Sequence, residues 1–122
     1  MTDWRLVRDK VPAIMVAKGI VGSVDDPMFR KVEGVEFRNY LARKLWEEVG
    51  ELLDDPNPEE FADVYEVLYS LARVVGVQQF DVQTERAAKY RARGGFYAGW
   101  LWVYDPEIAK TNLGYRSDPE VP

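Results

Sequence analysis

A chain of 122 residues with 16 Lys and Arg against 21 Asp and Glu, net charge −5, has the size of one domain around one core. Its 47% hydrophobic and 13% aromatic content excludes a disordered chain, and its acidity argues against a nucleic-acid polymer as partner. Cys and His are both absent, which removes disulfides, zinc-finger spacings and Cys–His or Ser–His nucleophile pairs, so any metal must be held by oxygen.

In chain order, Trp4 to Val7 reads as extended, and Asp9 to Lys18 as a short helix with Pro12 in its first turn and Gly19 at its end. Phe37 to Leu53 lacks Pro and places Phe37, Tyr40, Leu41, Leu45 and Leu52 on one apolar arc at helical period. Asn57 is a good N-cap, with Pro58 at the first helical position and Glu60 three residues after the cap. From there Phe61, Val64, Tyr65, Leu68, Leu71, Ala72 and Val75 form a second apolar stripe that closes near Gly76. The short DDPN connector makes these two segments an antiparallel helix hairpin. A third helix is expected from Gln79 to Ala92, stopped by Gly94 and Gly95. Trp100 to Tyr104, aromatic and β-branched, reads as a short strand that pairs with Trp4 to Val7. The fold expected is therefore all-α: a helical bundle built on the hairpin, with short terminal strands, as one domain over residues 1–122 whose last part, about 100–122, is a tail. No apolar run approaches the ~20 residues that span a bilayer, and the opening Met1 to Lys10 has no apolar signal core, so a cytoplasmic protein without membrane contact is expected.

Charge is distributed unevenly. Leu45 to Ala72 contains no Lys or Arg but holds nine of the 21 acids. Counted from Phe37, Glu48 falls at roughly 20° and Glu51 at roughly 320° on the helix wheel, inside the apolar arc. Burying unpaired carboxylates costs several kcal/mol each, so a cation or strong donors should meet them. On the next helix Glu60 lies at the edge of the apolar stripe, with Asp63 one turn on. Paired in the hairpin, Glu48, Glu51, Glu60 and Asp63 would make a hard-oxygen site suited to Mg²⁺ or Mn²⁺. Against this stands a plainer reading, because acids on helices are most often solvated, and Glu60 alone fits a capping box with Asn57. Capping explains neither Glu48 nor Asp63.

The pattern Glu47-Glu48-x-x-Glu51 followed by Glu60-x-x-Asp63 resembles the EExxE…ExxD signature of MazG-like, all-α nucleoside triphosphate pyrophosphohydrolases. Leu6-Val7-Arg8-Asp9-Lys10-Val11-Pro12 and Arg93-Gly94-Gly95-Phe96 are similar to the opening and closing motifs of a subfamily often labelled phosphoribosyl-ATP pyrophosphohydrolase-like. The resemblance covers about residues 5–97. It implies a helical, Mg²⁺-dependent enzyme that cleaves a nucleotide between its α and β phosphates, with Glu48, Glu51, Glu60 and Asp63 as metal ligands. Glu47 would then be the base or water-orienting group. Arg8, Lys10, Lys89 and Arg93 would meet phosphate oxygens that the metal leaves free, although Lys89 reads equally as surface charge and Arg8 as the partner of an acid. Trp46, Tyr40, Tyr65 and Phe96 are candidates for stacking a base, or core residues. Trp46 and Leu53 fall off the main arc of their helix, which together with the resemblance predicts a homodimer or higher oligomer. The alternative function is a helical binding or regulatory module that keeps the fold without turnover.

Overall fold

In the computed structural model, which describes residues 4–111, the regular structure is five helices: α1 (Val11–Ala17), α2 (Gly34–Asp54), α3 (Pro58–Val74), α4 (Gln79–Arg93) and α5 (Pro106–Thr111). The chain divides into two compact units, Met1–Gln79 and Phe80–Pro122. The all-α expectation holds, and in the first unit α2 and α3 pack closely along the predicted hairpin.

Local chemistry accounts for the helix ends. Pro12 stands in the first turn of α1, where a missing N–H costs nothing. Gly19 adopts φ +73° beyond its end, and the Ile20 N–H donates back to the Met15 carbonyl at 2.9 Å. At the head of α3 the Glu60 N–H donates to Asn57 Oδ1 at 3.1 Å, as the spacing predicts. Gly76 closes α3 with φ +80°. Helix α2 begins three residues before Phe37, at Gly34, and its last turn has no basic residue. Arg30 links the extended N-terminal segment to α2: its guanidinium lies 5.1 Å from the Trp4 ring centroid and its Nη1 donates to Glu36 Oε2 at 3.0 Å.

Among the described residues the buried apolar side chains are Val21, Leu41, Val64 and Val67, all in the first unit. On α2 Leu41 is buried and Phe37, Tyr40, Leu45 and Leu52 are half-buried, so the predicted arc is the packed one. The stripe predicted for α3 needs correction. Val64 is buried and Leu71 and Ala72 are half-buried, but Phe61, Tyr65, Leu68 and Val75 are exposed while Val67 is buried. Helix α3 has more apolar surface than one neighbour covers, and the face turned to α2 runs through Val64 and Val67. Trp46 and Leu53, set apart from the arc of α2, are exposed at 79% and 53%.

The terminal strands are a second correction: neither Trp4 to Val7 nor Trp100 to Tyr104 is a strand, and no strand occurs among the described residues. β propensity records fit to a half-buried pleated surface, and Trp100, Leu101, Trp102 and Tyr104 are each more than 80% exposed, so nothing there rewards pairing. In the second unit α4 exceeds its predicted end by one residue and has no buried side chain; Gly94, at φ +79°, closes it with an N–H donated to the Tyr90 carbonyl at 2.7 Å. Helix α5 falls within the segment read as tail, whose residues 112–122 lie outside the described ones.

Candidate metal centre

Because α2 runs toward the connector and α3 away from it, the last turns of α2 face the first turns of α3. That places Glu48 beside Glu60 and Asp63, one carboxylate oxygen from each lying within 4.8 Å of the others. The fixing residues are ordinary helix chemistry. Leu41 and Val67, buried along the seam, set the rotation of the two helices, and Asn57 fixes where α3 starts.

Glu48 is the most enclosed acid, with 7% of its surface exposed. Its Oε1 stands 3.4 Å from Lys44 Nζ, whereas its Oε2 is buried with no hydrogen-bond partner. Glu60 has the same defect: its Oε2 is buried and unpartnered. The capping reading of Glu60 is thus half right. Its backbone N–H is used by the cap, but its carboxylate is free to join the cluster. Burial pushes the Glu60 carboxyl above its ordinary 4.5, and the neighbouring charges of Glu51, Asp63, Glu48 and Glu59 push it the same way. Asp63 is half-buried and accepts from Arg8 Nη2 at 2.6 Å, a pair whose arginine is 60% exposed.

The remaining predicted residues are placed less tightly. Glu51 is exposed and outside the three-carboxylate cluster, although its charge acts on Glu60 more strongly than any other. Glu47 is half-buried with its oxygens turned to cations, Oε1 at 3.9 Å from Arg43 Nε and Oε2 at 3.7 Å from Lys44 Nζ. Lys10 is exposed at the residue before α1. Lys89 and Arg93 are exposed on α4, in the second unit.

Sequence reasoning passed over Lys44, one residue before the cation-free window. The signal was present in its i,i+4 spacing to Glu48. It also passed over a cleft of about 380 Å³ that shares Glu48 and Asp63 with the cluster. One wall is the segment of Leu6, Val7 and Arg8, and the other is the hairpin, with Leu41 and Val67 at its centre. None of the four aromatics considered for stacking lines it; Phe37 does.

Comparison of the chain with protein-family models, curated proteins and solved structures finds no match to it. No described helix is long and apolar enough to cross a membrane.

Proposed function

We propose that this chain is a Mg²⁺-dependent nucleotide pyrophosphohydrolase, with Mn²⁺ as a substitute ion, that cleaves the α–β phosphoanhydride of a nucleoside triphosphate or a related nucleotide. The observation that carries the reading is the pair of buried, unpartnered Oε2 atoms of Glu48 and Glu60 in one three-carboxylate cluster. A buried anionic oxygen without a donor is costly, and a divalent cation is the partner that satisfies several at once. The donor set is oxygen only, which fits Mg²⁺ or Mn²⁺. Glu48, Glu60 and Asp63 would hold the ion, with Glu51, whose charge acts on Glu60, as a fourth acid. When bound, it offsets charge on the phosphate oxygens and lets an anionic substrate approach an anionic site.

The resemblance to MazG-like enzymes supplies the reaction, and the residues around the cluster suit it. Arg8 stands at the cluster's edge, paired with Asp63, and its largely exposed guanidinium is a planar fork suited to phosphate oxygens, with Lys10 nearby in sequence. Lys89 and Arg93 remain phosphate-binding candidates on the resemblance alone. On the resemblance, Glu47 takes the proton of the attacking water; the water oxygen bonds to the α-phosphorus, the bond from that phosphorus to the bridging oxygen breaks, and pyrophosphate leaves with that electron pair. A second copy of the chain would cover Trp46, Leu53, Phe61 and Tyr65, which stand exposed on the first unit.

A second reading, the non-catalytic module, is favoured by the ion pairs themselves. Arg8 with Asp63 and Lys44 with Glu47 and Glu48 offset part of the cluster's charge without a metal. Incubating the protein with a nucleotide panel and Mg²⁺ decides between the two. Release of pyrophosphate and monophosphate supports the enzyme; absence of both products with every nucleotide, together with no Mg²⁺ heat in calorimetry, overturns it.

A further inference from the structure

We infer that Lys44 sets which cations the carboxylate cluster accepts: by pairing with one oxygen of Glu48 it leaves that carboxylate a single free oxygen, and so favours small six-coordinate ions over Ca²⁺. The inference rests on the metal-centre reading and goes beyond it to the selectivity of that centre.

The two oxygens of Glu48 have different surroundings. Oε1 lies 3.4 Å from Lys44 Nζ, whereas Oε2 is buried with no partner. The Lys44 side chain is 28% exposed and lines the cleft that Glu48 and Asp63 also line, so its ammonium is held at the cluster rather than spread into water. Helix stability alone does not account for the pairing, because an i,i+4 pair with the cation first stabilises a helix less than the reverse order. Asp63 is divided in the same way: its Oδ1 accepts from Arg8 Nη2 at 2.6 Å, which leaves Oδ2 over. That arginine is 60% exposed, so water competes for it and Lys44 is the firmer clamp.

Cations differ in what they need from a carboxylate. Mg²⁺ takes about six oxygens at roughly 2.0–2.1 Å and keeps several waters, so one oxygen from each of Glu48, Glu60 and Asp63 with about three waters completes its shell. Ca²⁺ takes about six to eight oxygens at roughly 2.3–2.6 Å and commonly draws on both oxygens of a carboxylate. An ion shared by both oxygens of Glu48 is brought to Oε1, the oxygen beside the Lys44 ammonium. The two positive charges repel, and beside a residue only 7% exposed little water screens them. An ion held by Oε2 alone avoids that repulsion.

Calorimetric titration of the metal-free chain with Mg²⁺ and, separately, with Ca²⁺ reads the preference. The intact chain should bind Mg²⁺ at least as tightly as Ca²⁺. Lys44→Met, which keeps an unbranched side chain without its charge, should raise Ca²⁺ affinity relative to Mg²⁺ at least fivefold, and Lys44→Arg should keep the parent ratio. Arg43→Met removes a neighbouring charge that pairs with Glu47, outside the cluster, and should leave the ratio within about twofold of the parent. In infrared difference spectra, Ca²⁺ should add the lowered antisymmetric stretch of a two-oxygen carboxylate to Lys44→Met and not to the parent. Should Lys44→Met not fold by circular dichroism, Lys44→Gln replaces it with the same expectation. An unchanged ratio in the uncharged Lys44 variant, a parent that prefers Ca²⁺, or an equal rise in Arg43→Met overturns the role of Lys44 and leaves the metal centre standing. A parent that binds neither ion overturns both. The expected ratios in a chain that releases no pyrophosphate from any nucleotide sink the enzymatic reading and support the clamp.

Discussion

Two sets of carboxylates share the hairpin and have different surroundings. Glu48, Glu60 and Asp63 turn into the seam between α2 and α3, where two of their oxygens have no partner. Asp54, Asp55 and Glu59, from the same cation-poor stretch, stand in water. The acidity of the stretch is therefore not the informative quantity. What separates Glu48, Glu60 and Asp63 from the helical acids Asp54 and Glu59 is rotation about the helix axis, fixed by the apolar residues that flank each acid, while Asp55 stands in the connector. An exposed acid among like charges costs a few tenths of a kcal/mol; an enclosed one without a donor costs far more, and its persistence needs a cause.

Removing one inner charge breaks the comparison most severely. Glu48→Gln or Asp63→Asn should lower nucleotide turnover by about a thousandfold, ~4 kcal/mol of transition-state stabilisation, with the helical circular dichroism signal retained. Near-normal rates in both variants would remove these residues from the site.

Asn57→Ala probes the two roles of Glu60. The side chain of Asn57 caps the Glu60 N–H, so its loss should cost about 1 kcal/mol in urea unfolding. The reciprocal bond of a full capping box, donated by the Asn57 N–H to the Glu60 carboxylate, is absent among the described residues, and the carboxylate lies in the cluster instead. Mg²⁺ affinity should therefore change much less than stability does; an equal loss of both would mean that the cap also aims the carboxylate.

Much of this was legible in residue order, and the parts that were not share a cause. Asn57-Pro58, Gly19, Gly76 and Gly94 mark helix ends by local chemistry alone, so the helices and the hairpin follow from the chain directly. The inward placement of Glu48 follows from its angle to Leu41. What local pattern does not contain is which neighbour each face meets. Helix α3 offers apolar residues on more than one face, and only the packed hairpin selects Val67 over Leu68. Trp100 to Tyr104 carries strand propensity without a partner strand among the described residues. The ion pair of Arg8 with Asp63 joins residues 55 apart, a distance over which no spacing rule reaches, and the cleft depends on the same long-range placement of Leu6 and Val7.

Acidity itself gives a finer test of the inner set. Burial and neighbouring charge hold the Glu60 carboxyl above its ordinary 4.5, so between those two values the native chain keeps a proton that the unfolded chain has released. Stability of the metal-free protein then falls as pH rises through that window and stays lower above it. Melting temperatures across the window should show this fall in the parent and lose it in Glu60→Gln. Saturating Mg²⁺ should also flatten the profile, because a bound cation favours the ionised carboxylate. A parent profile that rises through the window, or one that Glu60→Gln leaves unchanged, would take Glu60 out of the enclosed set.

The smallest effect is expected at Glu59, adjacent in sequence to Glu60 and opposite in surroundings. It is exposed in the first turn of α3, where its charge favours the helix dipole but repels Asp63 four residues on. Those contributions oppose each other at a few tenths of a kcal/mol each. Glu59→Gln should accordingly move unfolding free energy by less than about 0.5 kcal/mol and turnover by less than about twofold, ~0.4 kcal/mol. A loss close to that of Glu48→Gln would mean that acidity along the stretch, rather than enclosure at the seam, is what the site uses.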